Sequence, residues 1–98
     1  MKDLELVIIN LIRKSTDELE NRWKSVIYEC FRISPELYKT RGADGIIKDL
    51  EKDIQGIIRD LHFDKLEYTA DFKDTANHYL SECRAAVKEL VCKKLENI

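Results

Sequence analysis

Apolar residues recur at intervals of three and four along almost the whole of this chain, and that spacing decides what it can fold into. Positions three and four apart share one face of an α-helix, whereas a strand needs alternation by two. With only three glycines and one proline among 98 residues, the pattern runs for long stretches without a breaker. The expectation is an all-α fold of long amphipathic helices, not a turn-rich β protein or a disordered tail.

From Asp3 to Ile33 the apolar series is Leu4, Ile8, Leu11, Leu19, Trp23, Val26, Cys30 and Ile33, which reads as a first helix. Ser15 stands three residues before Glu18, the spacing of a capping box, and marks residues 14–16 as the point where this helix carries a signal to break. Ser34 followed by Pro35 reads as an N-cap and a first-turn proline, with Ile33 placed to staple onto Tyr38; Gly42 then closes a short helix. Asp44 is placed to cap the next helix, whose seam is Ile47, Leu50, Ile54, Ile57 and Leu61. Gly56 falls opposite that seam, where glycine costs about 1 kcal/mol relative to alanine. Asp64 with Glu67, and Phe63 with Tyr68, mark the start of a last helix that continues through Phe72, Ala76, Leu80, Cys83, Val87 and Val91.

The expected architecture is therefore a single domain, an antiparallel bundle of three main helices at about 3–33, 45–62 and 65–96, with a short helix near 35–41. At 1.5 Å per residue these main helices would measure roughly 45, 27 and 48 Å, which do not match. If the second helix returns only partway, the third begins near the middle of the first. That offset would strand Leu4, Val7, Ile8, Leu11 and Ile12 at one end and Val87, Leu90, Val91 and Leu95 at the other. Leaving nine such side chains in water forgoes on the order of 10 kcal/mol, comparable to the stability of a whole domain.

Two arrangements would cover them. Either the first helix breaks near Ser15 and its front half folds back as a fourth helix, or a second copy or another protein supplies the cover. The second arrangement is favoured, which makes those nine residues the expected partner-binding surface and a homodimer the expected assembly. The connector at about 34–44 is long enough to shift the second helix and reduce the offset.

Charge narrows the function. The formal net charge is −2, and residues 1–33 and 65–98 each sum to zero. Nucleic-acid binders gather lysine and arginine into a patch, because phosphate neutralisation supplies most of their affinity; no such patch is present, and no nucleic-acid partner is expected. The stretch 35–62 has the outline of a helix-turn-helix, but its would-be reading helix opens Ile46, Ile47, Lys48, Asp49, Leu50, Glu51, with two acids to one base. The one apolar run near the N-terminus is too short to span a bilayer and carries no cleavage signal, so a cytoplasmic, non-membrane protein is expected.

Chemistry-bearing residues are few. Glu67, Asp71, Asp74, His78 and Glu82 form an acidic stripe on one side of the last helix, an arrangement able to hold a divalent metal in a small hydrolase. The stripe lies opposite the apolar face, so it is expected to point to water, and no cofactor or metal is expected. Cys30 and Cys83 fall on apolar faces as small hydrophobes, while Cys92 lies between Lys88 and Lys93 on the polar side and is the thiol best placed to react. Three cysteines without CxxC spacing make neither a complete disulfide framework nor a zinc site. The sequence therefore reads as a non-enzymatic protein-interaction module of the adaptor, inhibitor or antitoxin kind, with a metal-dependent hydrolase or a weak DNA-binding regulator as alternatives.

Overall fold

A computed structural model describes residues 1–61 and 67–97. Three helices pack against one another, α1 (Asp3–Ile33), α2 (Pro35–Asp60) and α3 (Ala70–Glu96), and no strand occurs among the described residues. The expected all-α bundle is the observed one, with α2 antiparallel to both of its neighbours and α1 parallel to α3.

α1 is continuous through residues 14–16, so the front half does not fold back. The reason is burial. Thr16 sits inside the bundle with its hydroxyl donating to the Arg13 carbonyl at 3.0 Å, and Ile12 and Leu19 are buried one turn to either side. A capping signal in the sequence does not end a helix whose apolar face is covered on both sides of it.

Only Ser34 separates α1 from α2. Pro35 has no N–H to continue the α1 ladder and disfavours helical geometry in the residue before it, so the chain turns there. Ser34 occupies the N-cap position but its side chain makes no cap bond; its backbone N–H donates to the Cys30 carbonyl at 2.8 Å. The expected staple between Ile33 and Tyr38 is not the one formed. Tyr38 packs on Phe31, with ring centroids 5.4 Å apart, and its hydroxyl donates to Cys30 Sγ at 2.9 Å, leaving Ile33 in water.

Gly42 closes the first segment of α2, with φ 72° and ψ 171°, and the helix resumes at once. The sequence reading started the second main helix near 45; Asp44, the expected cap, lies inside the resumed helix. The descending arm is thus the whole of Pro35–Asp60, 26 residues long. It reaches from Tyr38, beside Phe31, to Leu61, which packs against the cluster formed by Ile8, Ile9, Ile12, Phe72 and Ala76.

α3 starts at Ala70, later than the expected 65. Residues 67–69 are not helical, and the N-cap is Thr69, whose hydroxyl accepts from the Phe72 N–H at 3.3 Å. The Asp64 half of the expected capping box, and Phe63 of the expected staple, lie outside the described residues; Tyr68 stacks on Phe72 at 4.1 Å.

These two shifts remove the predicted offset between the long helices. Thr69 meets Glu5 at one end of the rod, and the Lys94 ammonium sits 4.4 Å above the Tyr28 ring at the other. α1 and α3 run side by side over almost their full lengths. The core forms two buried clusters along this axis. Ile8, Ile9, Ile12, Phe72 and Ala76 make the lower one; Leu19, Ile27, Phe31, Leu50, Ile54, Leu80 and Val87 are among the members of the upper one. The molecule measures 47 × 18 × 18 Å, its long axis set by α1 at 1.5 Å per residue.

Candidate protein-interaction surface

The nine residues singled out for partner binding separate into three groups. Val87 and Val91 are fully buried, and Ile8 and Ile12 are buried too, all of them in the chain's own core. Leu90 and Leu95 are half-buried against the upper cluster. The expectation that the last turns of α3 project unpartnered is thereby corrected: α2 returns the full length of α1, so α3 ends flush with it. Leu4, Val7 and Leu11 remain in water, at 63%, 56% and 45% exposure.

These three lie on one side of α1. At 100° per residue they fall within about 60° of one another, next to the buried Ile8 and Ile12. Asn10, Lys14 and Glu18 continue the same side upward, lining a shallow recess with Val7 and Leu11. Leu6 at 47% and Tyr28 at 52% are exposed on another side of α1, and toward its far end so are two further aliphatic side chains, Val26 at 46% and Ile33 at 66%. The sequence reading placed both in the apolar seam of the first helix. Period alone does not separate the centre of an apolar arc from its edge, and both residues fall at the edge, beyond the reach of α2 and α3.

Beside this surface one carboxylate is tied into the fold. Glu5 is buried, and its carboxylate accepts from the Lys2 N–H at 2.9 Å, the Thr69 N–H at 2.8 Å and the Thr69 hydroxyl at 2.9 Å. One side chain therefore satisfies donors at the starts of both α1 and α3. The Lys2 N–H foremost, and the two Thr69 donors after it, hold this carboxyl below its ordinary range, against the opposing effect of burial. Sequence reading did not single out Glu5. Its local signal is its place at the third helical position, where a carboxylate reaches back to the cap; its partner Thr69 is 64 residues away.

The carboxylates considered for catalysis do not converge. Asp71, Asp74, His78 and Glu82 all face water, and His78 pairs with Glu82 at 3.1 Å. Among the described residues, no three histidine, cysteine or acidic side chains are placed to hold a metal ion. Asp53 accepts from Trp23 Nε1 at 2.8 Å and Arg22 at 3.3 Å, which fixes the indole at the α1–α2 seam. Glu51 takes a two-pronged contact from Arg84 across to α3, and Arg41 pairs with Asp49. The segment read as a DNA-reading helix thus directs Ile46 and Leu50 into the core and Glu51 to α3.

The three thiols are free. Burial pushes Cys83 up to about 11, which leaves it a core hydrophobe. Cys30 is half-buried under the Tyr38 hydroxyl, and that contact is the main reason the phenol is raised above its ordinary value. Cys92 is half-buried. His62 lies outside the described residues. Among the described residues no helix is long and apolar enough to cross a membrane.

Comparison of the chain with profiles of known protein families, with curated protein sequences and with solved structures finds no match in any of the three.

Proposed function

We propose that this protein acts by binding protein, presenting the exposed apolar side of α1, and that it is not an enzyme. The observation that carries the reading is the set Leu4, Val7 and Leu11. Three large aliphatic side chains share one helix face in water, beside a core that already buries Ile8 and Ile12. Contiguous exposed apolar surface of this kind on a small domain marks an interaction site, and a rigid helix face is the geometry that receives another helix or a groove. An adaptor, inhibitor or antitoxin would use the face in this way. A cytoplasmic setting agrees with three free cysteines.

The test is affinity capture from the source cell with quantitative mass spectrometry, using the wild type beside a Leu4→Glu, Val7→Glu, Leu11→Glu variant. All three positions are exposed, so circular dichroism should show unchanged helicity. Proteins retained by the wild type are expected to be lost by the variant. The same set retained on both would sink the proposal.

A further inference from the structure

We infer that the rod opens in two steps: its lower end, closed by the Glu5 carboxylate, releases while the upper end stays folded. The inference concerns the motion of the fold and stands whether or not the α1 face binds protein.

The core is not continuous along the axis. Its buried residues form two separate clusters, the lower around Ile8, Ile9, Ile12, Phe72 and Ala76 and the upper around Ile27, Leu50, Ile54 and Val87. On α1 the buried position between Ile12 of one and Leu19 of the other is Thr16. Its hydroxyl donates to the Arg13 carbonyl of the same helix, a bond that survives when the helices part. Clusters separated in this way can open as independent units.

Polar ties between the helices divide along the same line. Beside the upper cluster Trp23 and Arg22 reach Asp53, Arg84 reaches Glu51 and Tyr38 reaches Cys30. Ser34 alone joins α1 to α2 at that end, so the two cannot move far apart there. At the lower end α1 is held to the start of α3 by Glu5, which is 2% exposed and accepts from both the Thr69 N–H and the Thr69 hydroxyl. Hydrogen bonds to an ionised carboxylate are among the strong ones, so this contact closes the end as a clasp. With the clasp made, Ile8, Ile12 and Phe72 are covered; with it released, they are exposed together.

Native-state hydrogen exchange of the full chain at neutral pH tests this. Amides at 9–14 and 73–78 report the lower unit, and those at 24–31, 48–54 and 82–91 the upper. In the wild type the lower set is expected to be less protected by at least about tenfold. Ile27→Val weakens the upper cluster and should speed exchange of the upper set about threefold to tenfold. It should leave the lower set unchanged, because that set exchanges through an opening in which Ile27 stays packed. Glu5→Gln should speed both sets by about tenfold or more, because the upper unit opens only after the lower one has. One level of protection across all these amides overturns the inference, and so does an Ile27→Val variant that speeds both sets alike. A Glu5→Gln variant whose lower set exchanges at the wild-type rate removes Glu5 as the clasp. Should Glu5→Gln fail to fold, the wild type and Ile27→Val still decide whether the rod opens in two steps.

Discussion

At φ 72° and ψ 171°, Gly42 holds a backbone conformation closed to residues that carry a Cβ. Nothing lies within 4 Å of where that Cβ would stand, so the constraint is torsional and not steric crowding. Gly42→Ala is expected to lower stability by about 1–3 kcal/mol, read from urea denaturation. Gly56 should behave the opposite way, because it is helical and a Cβ there meets only the Arg59 guanidinium at an ordinary 3.8 Å. Gly56→Ala should raise stability by about 0.5–1 kcal/mol.

Glu5 supplies the pH dependence at this scale. Its carboxyl lies below the ordinary value of 4.5 in the folded chain, so the folded state favours the charged form more than the unfolded state does. The stability it contributes is present above about pH 4.5 and is lost as pH falls through the folded value. Glu5→Gln should reduce stability at neutral pH and flatten the acid limb of a melting-temperature profile. An acid limb identical to that of the wild type would show that the contacts to Lys2 and Thr69 contribute nothing.

Among the elements, α1 carries the architecture. It is one helix because α2 and α3 cover it on both sides of Ser15, and the capping signal there is overridden by packing. A proline at position 15 is the direct probe, since it removes a helical hydrogen bond and clashes with the preceding turn. Ser15→Pro is expected to cost about 3 kcal/mol or more in chemical denaturation. A helix that ended there would accept the change with little loss. The break that does occur, at Ser34 and Pro35, lies where a missing N–H leaves packing no hydrogen bond to preserve.

At the scale of the molecule the chain is a rod, with a radius of gyration of 15.3 Å, against about 13 Å for a compact domain of this size. A rod three helices thick buries one face of each helix and leaves more of the remaining surface in water than a sphere does, which is why α1 retains apolar side chains outside the core. If two copies associate along that side, association stabilises the folded state by mass action. The melting temperature of the wild type should then rise with protein concentration, whereas that of the Leu4→Glu, Val7→Glu, Leu11→Glu variant should stay constant. Differential scanning calorimetry across a hundredfold concentration range reads the difference.

The all-α class, the two ends of α1 and the breaks at Pro35 and Gly42 follow from residue order alone, because they depend on local geometry: a period of three to four, an absent N–H, a missing Cβ; the continuity of α1 through Ser15 is decided by packing. The alignment of α1 with α3 does not follow from residue order either. It depends on how far α2 returns and where α3 begins, and Thr69 becomes the cap of α3 only in the company of Glu5, 64 residues earlier. For the same reason the apolar residues at the ends could be recognised in the sequence but not sorted. Val87 and Val91 are covered and Leu4, Val7 and Leu11 are not, since burial is settled by which helix lies opposite, and spacing along one helix carries no record of its neighbours.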